Sequence, residues 1–491
     1  MSADHRPVVV NGPMKYRAFA LNKLASIAPR YLPFVDVATK DVPLSRLLRL
    51  SLFQVTVGMA LVLLMGTLNR VMIVELDVSA ALVAGMLALP LLFAPFRTLV
   101  GFKSDEHRSA LGWRRVPYIW KGTMYQFGGF AIMPFALLVL SGYGEAVDAP
   151  RWLGLSSAAL AFLLVGAGLH IVQTVGLALA TDLVKQEDHP KVVGLMYVML
   201  LLGMVVSALI YGALLADYTP GRLIQVIQGS AVVTVALNLI AMWKQESRDR
   251  SRALRTAQTP KVSFLDAWGR LIALPGTMRL LVVIGLGTFG FGMADVLLEP
   301  YGGQALGFSV AETTRLTALF AGGTLMGFGI ASRALAIGGD PVRLATFGAM
   351  IGLPGFAAII LSSVHGGAFV FCVGTLATGL GAGLFGHGTL TATIRNAPPD
   401  QIGLSLGAWG AVQATCAGIG VALAGIVRDI LVAAPSLAGL QPSTPYNVVF
   451  TVEMAFLVMA ILIAIPLVIR RGVSRTSRPV ATAQPKPVEA Q

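Results

Sequence analysis

The sequence predicts an all-α integral membrane protein, with twelve transmembrane helices in two pseudo-symmetric six-helix bundles. Composition, apolar runs of membrane-spanning length and weak internal repeats support this class. Of 491 residues, 55% are hydrophobic and 12% are charged, and the mean hydropathy is +0.75. Soluble domains carry about 25% charged residues. The 54 glycines fit the same class, because small residues let transmembrane helices approach closely.

Twelve apolar runs are long enough to cross a bilayer. The hydrocarbon core is about 30 Å thick, so a spanning helix needs about 20 apolar residues. Spans 1 to 12 are predicted at residues 48–68, 78–100, 117–141, 153–180, 191–216, 222–243, 279–299, 312–336, 342–363, 367–395, 401–430 and 446–470. Only the connection from Lys244 to Met278 is long, and it divides the spans into two groups of six.

These boundaries predict five parts. They are a cytoplasmic N-terminal segment with an interfacial amphipathic helix (1–47), a first six-helix bundle (48–243), a cytoplasmic linker (244–278), a second six-helix bundle (279–470) and a disordered cytoplasmic tail (471–491). The N-terminal helix is predicted over residues 14–28, where Tyr16, Ala20, Leu24 and Ile27 share one face. That face suits either the membrane surface or a partner protein.

The distribution of Lys and Arg predicts the orientation, because positively charged loops stay in the cytoplasm. With both termini inside, 32 of the 37 basic residues fall on the cytoplasmic side. The five that remain outside are Arg70, Arg151, Arg222, Arg315 and Arg428. The net charge of +13 therefore reflects topology and contact with anionic lipid headgroups, and no nucleic-acid partner is predicted.

Three pairs of short strings indicate that the two halves are repeats. The pairs are GTLNRVMIVEL (66–76) with GFGMADVLLEP (290–300), PFALLVLS (134–141) with PGFAAIILS (354–362), and KQEDHPKVVG (185–194) with RNAPPDQIG (395–403). Each pair relates one span to the span six later. Their common order predicts two bundles around a pseudo-twofold axis along the membrane normal.

The loop between spans 2 and 3 resembles the signature of the major facilitator superfamily. The matching residues are Gly101, Asp105, Gly112, Arg114 and Arg115, although the spacing from Asp105 to Gly112 is longer than usual. This resemblance implies a cytoplasmic gate, in which the charges hold the ends of the two bundles together in one of two states. The alternative is that they are anchoring charges facing the lipid headgroups.

Several longer strings resemble one branch of that superfamily, the PucC/LhaA family. They are LSRLLRLSLFQVTVGM (44–59), GTLNRVMIVEL (66–76), RSALGWRRVPYIW (108–120) and DVLLEPYGGQALGFSVAETTRLTA (295–318). The resemblance covers roughly residues 15 to 470. It implies an assembly factor for light-harvesting complexes of photosynthetic bacteria, which binds bacteriochlorophyll as cargo and delivers it.

The same resemblance implies partners and a location. The expected partners are light-harvesting alpha and beta polypeptides, bacteriochlorophyll biosynthesis enzymes, the reaction-centre antenna complex and membrane lipid. The expected location is the bacterial cytoplasmic membrane in its intracytoplasmic photosynthetic form. The antenna complex served, the exact pigment, the energy coupling and the oligomeric state are left open by the sequence.

Charged residues in the outer halves of spans 1 and 7 predict an ion pair. Arg70 lies against the positive-inside trend, and the repeat pairs it with Asp295, which shares a helix face with Glu299. Charges near the hydrocarbon are costly without a partner. We therefore expect Arg70 to contact Asp295 or Glu299 near the outer mouth, the alternative being that each side chain reaches water independently.

His170 in span 4 and His387 in span 10 are the histidines well inside apolar segments. A neutral imidazole can serve as axial ligand to the magnesium of a bacteriochlorin, as it does to haem iron. The simpler alternative is a hydrogen bond between helices. Both residues are therefore candidate pigment ligands.

No enzyme is predicted, and neither a nucleotide nor a dedicated metal site is expected. Cys372 and Cys416 lie in apolar segments, and GLGTFG (285–290) and GAGLFG (381–386) are apolar helix sequence outside any βαβ unit. Three functions stay open: a pigment-delivering assembly factor, an ion-coupled transporter of small solutes and a pigment-free scaffold. Spans 1, 4, 8, 10 and 11 have no Asp or Glu near mid-membrane, which favours lipid-like cargo.

Overall fold

The predicted all-α membrane fold is confirmed by a computed structural model of the protein. The structure describes residues 42–92, 100, 104, 113–142, 148–185, 188–246, 264–363, 367–397, 402–434 and 441–476. Within these residues regular structure is helical throughout, and eleven helices are long and apolar enough to cross a membrane. The N-terminal helix predicted at 14–28 lies outside the described residues, as do Gly101, Asp105 and Gly112.

The twelve predicted spans all correspond to helices. Their observed bounds are Leu44–Glu75, Ala80–Leu92, Val116–Ser141, Arg151–Asp182, His189–Leu214, Pro220–Met242, Thr277–Leu306, Val310–Ala336, Pro341–Leu361, Gly367–Asn396, Ile402–Ala433 and Thr444–Thr476. Span 2 is described over Ala80–Leu92, and residues 93–99 lie outside the described segments. Span 12 continues beyond its predicted end at residue 470, into the segment predicted to be a disordered tail. The linker contains a further helix at Phe264–Ala273.

Glycines place the backbones of corresponding helix pairs in contact in both halves. Spans 3 and 4 meet at Gly122 and Gly168, and spans 9 and 10 meet at Gly348 and Gly381. A Cβ atom on any of the four would lie 2.5–2.9 Å from the carbonyl oxygen of the opposite glycine. Such contacts are possible only without side chains. The matching geometry supports the two-repeat organisation.

Span 10 makes an equally close contact with span 8 on another face. Gly323 and Gly327 of span 8 lie opposite Gly379 and Gly383 of span 10. A Cβ atom on any of them would lie 2.2–2.3 Å from a carbonyl oxygen of the facing helix. Both helices therefore carry glycines four residues apart at their crossing, the small-residue pattern typical of close transmembrane packing.

Two seams join the bundles, one between spans 2 and 11 and the other between spans 5 and 8. At the first seam Gly425 packs against the Ala80 carbonyl, and at the second Gly212 packs against Arg315 and the Ala311 carbonyl. Spans 1 and 7 meet between these seams. We call the end of the molecule that contains Glu75 and Phe308 the outer end, following the orientation predicted from the charges.

Candidate functional site at the outer junction

Spans 1 and 7 are irregular where they meet. Span 1 winds as π-helix over Val62–Leu68 and Val71–Glu75, and span 7 is interrupted at Met293 between Thr277–Gly292 and Ala294–Leu306. Wide π turns occur frequently at functional sites, and interrupted helices line the binding sites of many transporters. The irregular segments carry the polar residues that the sequence singled out, among them Arg70, Asp295 and Glu299.

Arg70 is buried and paired, but with a different carboxylate from the one predicted. Its Nη1 atom forms a short ion pair with Glu75 of the same span, and its Nη2 atom donates to the Phe308 carbonyl oxygen at 2.9 Å. The predicted ion pair with Asp295 or Glu299 is not the one that the structure shows. Tyr218 lies beside this ion pair, and burial, followed by the Glu75 charge, raises the pKa of Tyr218 to about 12.

Glu299 is buried where spans 1, 7 and 8 meet. The Thr317 hydroxyl of span 8 donates a short hydrogen bond to its Oε1 atom, while Oε2 is buried without a hydrogen-bond partner. Gly66 of span 1 packs against this carboxyl group, which leaves no room for a side chain at residue 66. Glu299 therefore connects three spans, one from the first bundle and two from the second.

A second buried carboxyl group, from span 12, was not singled out as a site by the sequence analysis. Glu453 is 0% exposed, and neither of its carboxylate oxygens makes a hydrogen bond of ordinary geometry. Asp295 is its electrostatic neighbour and is partly buried. The position of Glu453 near the start of span 12 did not predict its burial, because Asp295 of span 7 lies more than 150 residues away in the sequence.

Hydrogen bonds close the two bundles against each other at this end. Thr67 and Thr314 share a hydrogen bond of 3.1 Å, and Asn69 Nδ2 donates to the Val296 carbonyl oxygen at 2.7 Å. Residue 300 is a proline, so the helix itself has no N–H group to offer the Val296 carbonyl. Asn69 of the opposite bundle supplies the missing donor. The hydrogen bond that Pro300 removes from span 7 is thereby replaced by one from the other half of the molecule.

The seam between spans 2 and 11 has its own polar contact. The Ala81 backbone N–H donates to Asp429 Oδ2 at 2.7 Å, near the start of span 2. Arg428 pairs with the same aspartate at 2.8 Å and donates to Gln304 Oε1 at 2.7 Å. Tyr446 also donates to Gln304 Oε1. This network ties spans 7, 11 and 12 together and holds Asp429 against span 2.

The opposite end of the first bundle contains the predicted gate residues Arg114 and Arg115. Both guanidinium groups contact Asp182 Oδ2 of span 4 at 3.2 Å, and Arg115 Nη1 donates to Ser104 Oγ at 2.7 Å. The acidic partner belongs to the same bundle as the arginines. These contacts brace the first bundle. The predicted latch between the two bundles includes Gly101, Asp105 and Gly112, which lie outside the described residues, and it stays a prediction.

Glu246, at the start of the linker, completes this cluster. Its carboxylate accepts hydrogen bonds from the backbone N–H groups of Arg114, Arg115 and Val116 at 2.7–3.0 Å. These groups lie at the beginning of span 3, where no earlier turn can accept them. The preceding residue, Gln245, exchanges hydrogen bonds with Arg46 in the first turn of span 1. No sequence pattern marks Glu246 as functional, because its role depends on a contact with a distant helix.

His387 lies between spans 8 and 10 and is 9% exposed. Its Nε2 atom shares a hydrogen bond of 3.3 Å with Ser332 Oγ, and its ring packs on Phe328 with centroids 4.0 Å apart. The helix-to-helix hydrogen bond that the sequence left open is thus present. His170 lies half-buried in span 4, in the other bundle. In the described segments, no group of three or more His, Cys, Asp or Glu residues could hold a metal ion.

Comparison with known sequences decides the family. A family model described as "PUCC protein" matches residues 67–472. The chain belongs to the PucC family. Protein PucC of Rhodobacter capsulatus is 69% identical over 94% of this chain and 100% of its own length. Protein PucC of Rhodovulum sulfidophilum is 64% identical over 84% of this chain and 90% of its own length.

A more distant relative carries the name of a biosynthetic enzyme. The "Bacteriochlorophyll synthase 44.5 kDa chain" of Rhodobacter capsulatus is 26% identical over 88% of this chain and 97% of its own length. The similarity to this protein extends over most of both chains, even at low identity.

Solved structures of transporters share the fold. A bacterial homologue of the human lysosomal transporter spinster, in an inward-facing conformation, matches with a TM-score of 0.61 at 16% identity, covering 86% of this chain and 95% of the other. An inward-facing bacterial homologue of the iron transporter ferroportin matches with a TM-score of 0.59 at 17% identity, covering 86% and 97%. At these identities the match concerns the fold alone, and the predicted major facilitator fold is confirmed.

Proposed function

We propose that this protein helps to assemble bacterial light-harvesting complexes by binding bacteriochlorophyll in the membrane and delivering it to antenna polypeptides. Membership of the PucC family over nearly the whole chain is the observation that carries the proposal. The direct partners are then light-harvesting alpha and beta polypeptides, with bacteriochlorophyll biosynthesis enzymes and the reaction-centre antenna complex as neighbours. The protein acts in the photosynthetic membrane with both termini in the cytoplasm, and it catalyses no reaction.

The closed outer junction supports a cargo that moves within the membrane. Thr67, Asn69 and Arg70 join the bundles at that end by hydrogen bonds. A water-soluble substrate would have to cross this junction to leave the cell. A hydrophobic pigment can instead enter and leave sideways through lipid, so a closed outer end does not obstruct delivery.

The two candidate pigment ligands differ in their surroundings. His387 is packed on Phe328 and bonded to Ser332, which leaves little space for a macrocycle beside its ring. His170 is half-buried and keeps part of its surface exposed. We therefore assign axial ligation of the pigment magnesium to His170 and a structural role to His387.

An absorption spectrum of the protein purified from cells without antenna polypeptides tests this proposal. We expect bacteriochlorophyll in stoichiometric amount, lost in His170→Leu because the axial ligand is gone. His387→Gln is the matched control, since a glutamine can replace Nε2 in the hydrogen bond to Ser332, and it should keep the pigment. A colourless wild-type preparation would contradict pigment binding and favour the scaffold.

The buried carboxyl groups favour one alternative, an ion-coupled transporter of small solutes. Glu299 and Glu453 are 3% and 0% exposed within membrane spans, and Asp295 is close to Glu453. Ionisable residues in such positions commonly mark ion pathways. A solute transporter would be purified without pigment, so the same spectrum separates it from the proposed assembly factor.

A further inference from the structure

A groove lies between spans 5 and 6 in the outer half of the first bundle. Its volume is about 330 Å³. Met59 of span 1 forms its floor, and its walls include Ile210, Leu214, Val226 and Val233. These apolar side chains would hold a hydrocarbon chain. None of them takes part in the outer junction described above.

The groove opens toward the lipid. Ile210, Leu214 and Val233 are 50%, 41% and 44% exposed, as expected for side chains that face a bilayer. Gly229 is exposed on the rim, and a Cβ atom there would meet nothing within 4 Å. A side chain at residue 229 would therefore enter the groove without disturbing the packing of the helices.

A positive charge stands at the outer mouth of the groove. Arg222 is exposed at the beginning of span 6, and its guanidinium group donates to the Leu214 carbonyl oxygen at 3.1 Å and to Gln225 Oε1 at 3.4 Å. Within the described residues it makes no ion pair with a carboxylate. It is also one of the few basic residues on the outer side. An anion at this mouth would therefore meet an uncompensated charge.

The dimensions of the groove match one leaflet of a bilayer. From Arg222 to Val233 the helix rises about 16 Å at 1.5 Å per residue. Half of a hydrocarbon core is about 15 Å. Deeper in the groove Tyr211 and Ser230 satisfy each other by a hydrogen bond of 2.8 Å, and Ser230 donates to the Val226 carbonyl oxygen. The main polar anchor is thus at the mouth, and the interior is largely apolar.

We infer that this groove binds an anionic phospholipid of the outer leaflet, with an acyl chain between spans 5 and 6 and the phosphate at Arg222. The charge at the mouth selects a phosphate-bearing headgroup without a compensating cation. The apolar walls accept the chain. The site is separate from the proposed pigment ligands, so it does not depend on the proposed function.

Native mass spectrometry of the full-length protein, with phosphatidylglycerol or phosphatidylcholine added, tests the site. The wild-type protein should retain phosphatidylglycerol preferentially. Arg222→Gln should bind it about tenfold more weakly, since a charge-assisted hydrogen bond to phosphate is lost. Gly229→Leu should weaken both lipids, because the new side chain occupies the groove. Gly128→Leu is the control, because a Cβ atom at this glycine of span 3 also meets nothing within 4 Å.

Three results would overturn the inference. The first is a wild-type protein that retains both lipids equally, which needs no variant to be folded. The second is an unchanged preference for phosphatidylglycerol in both Arg222→Gln and Gly229→Leu. The third is loss of bacteriochlorophyll from Gly229→Leu while Arg222→Gln keeps its lipid preference, which would assign the groove to the pigment tail.

Discussion

The carboxylate of Glu246 fixes the beginning of span 3 from a distant position in the chain. It accepts the backbone N–H groups that the first turn of this helix cannot satisfy, and its negative charge lies at the positive end of the helix dipole. Because Gln245 beside it is bonded to Arg46, the same two residues hold spans 1, 3 and 6 together. The first bundle and the start of the linker are thus one unit.

Replacing Glu246 by glutamine should lower the stability of the protein. The substitution removes the charge that several N–H groups share, and we expect a loss of about 1 kcal/mol, the usual effect of a helix cap. Thermal unfolding in detergent measures the change. Asp217→Asn is the control, because it removes one negative charge from an exposed position between spans 5 and 6. Equal midpoints for the two variants would contradict the capping role.

Arg70 illustrates what the sequence could predict for a single side chain. Its position in the membrane predicted that the charge would be paired, and the structure shows the pairing with Glu75. The predicted partner was wrong. In an α-helix residue 75 would point about 140° away from residue 70, so Glu75 was not expected to reach Arg70. In a π-helix residues five apart face the same side, and span 1 is π-helical at Val71–Glu75. The π-helical geometry brings Glu75 within reach of Arg70. No pattern in the sequence predicted a π-helix at Val71–Glu75.

Span 10 is the helix around which the second bundle is packed. Gly381 places its backbone against span 9, while Gly379 and Gly383 place it against span 8. Glycine lowers helix propensity by about 0.5–1 kcal/mol relative to alanine. Close packing in lipid offsets that cost, because van der Waals contact drives helix association there.

Substituting Gly383 by alanine should disrupt the crossing of spans 8 and 10. The new Cβ atom would lie 2.2 Å from the Thr324 carbonyl oxygen, so the helices have to separate, and we expect a loss of about 1–3 kcal/mol. Thermal stability and the yield of monodisperse protein report the effect.

Gly386→Ala is the matched control on the same helix. A Cβ atom at this glycine meets nothing within 4 Å, so alanine should be neutral or slightly stabilising. If both alanine variants behaved alike, the close contact at Gly383 would not limit stability.

The role of these glycines was partly predictable. The interpretation of GAGLFG (381–386) as apolar helix sequence is confirmed, and two of its glycines, Gly381 and Gly383, touch different helices. Gly386 belongs to the same string and touches neither. Spacing along one helix predicts which residues share a face, but the neighbour that covers each face is set by the whole bundle.

The outer junction depends on both halves of the molecule. Pro300 leaves the Val296 carbonyl without a donor in its own helix, and Asn69 supplies one across the junction. Both residues are buried, so an unpaired carbonyl would be costly here. The two bundles are therefore held together by a carbonyl group left unpaired in span 7 and a side chain from span 1 that donates to it.

Replacing Asn69 by leucine should loosen this junction. The buried carbonyl loses its donor, which costs about 1–3 kcal/mol and shifts the population toward an open outer end. A cysteine substituted for Thr67, which is fully buried against Thr314, reports opening by its reaction with a membrane-impermeant maleimide. Labelling should be faster in Asn69→Leu than in the reporter alone.

Two further variants separate stability from closure. Pro300→Ala combined with Asn69→Leu restores a donor within the helix, so stability should recover while labelling stays fast. Asn447→Leu removes an amide whose bond to Ser363 lies within the second bundle, and it should leave labelling unchanged. Unaltered labelling in Asn69→Leu would show that this hydrogen bond does not hold the junction.

The fold as a whole could be predicted, whereas the junction could not. Hydropathy gave the spans, because each span is a continuous apolar run that needs no information from elsewhere in the chain. The bond from Asn69 to Val296 joins residues separated by 227 positions. Such a pairing depends on how irregular helices meet. The weak repeat in the sequence related spans 1 and 7, but it did not predict which of their residues form hydrogen bonds.

The touching backbones of spans 8, 9 and 10 have a mechanical consequence. Helices separated by long side chains can slide as those side chains change rotamer, but backbone atoms already in contact offer nothing to compress. A force applied to one of these three helices is transmitted to the other two with little loss. Any displacement of one half of the molecule against the other therefore carries spans 8, 9 and 10 as a single body.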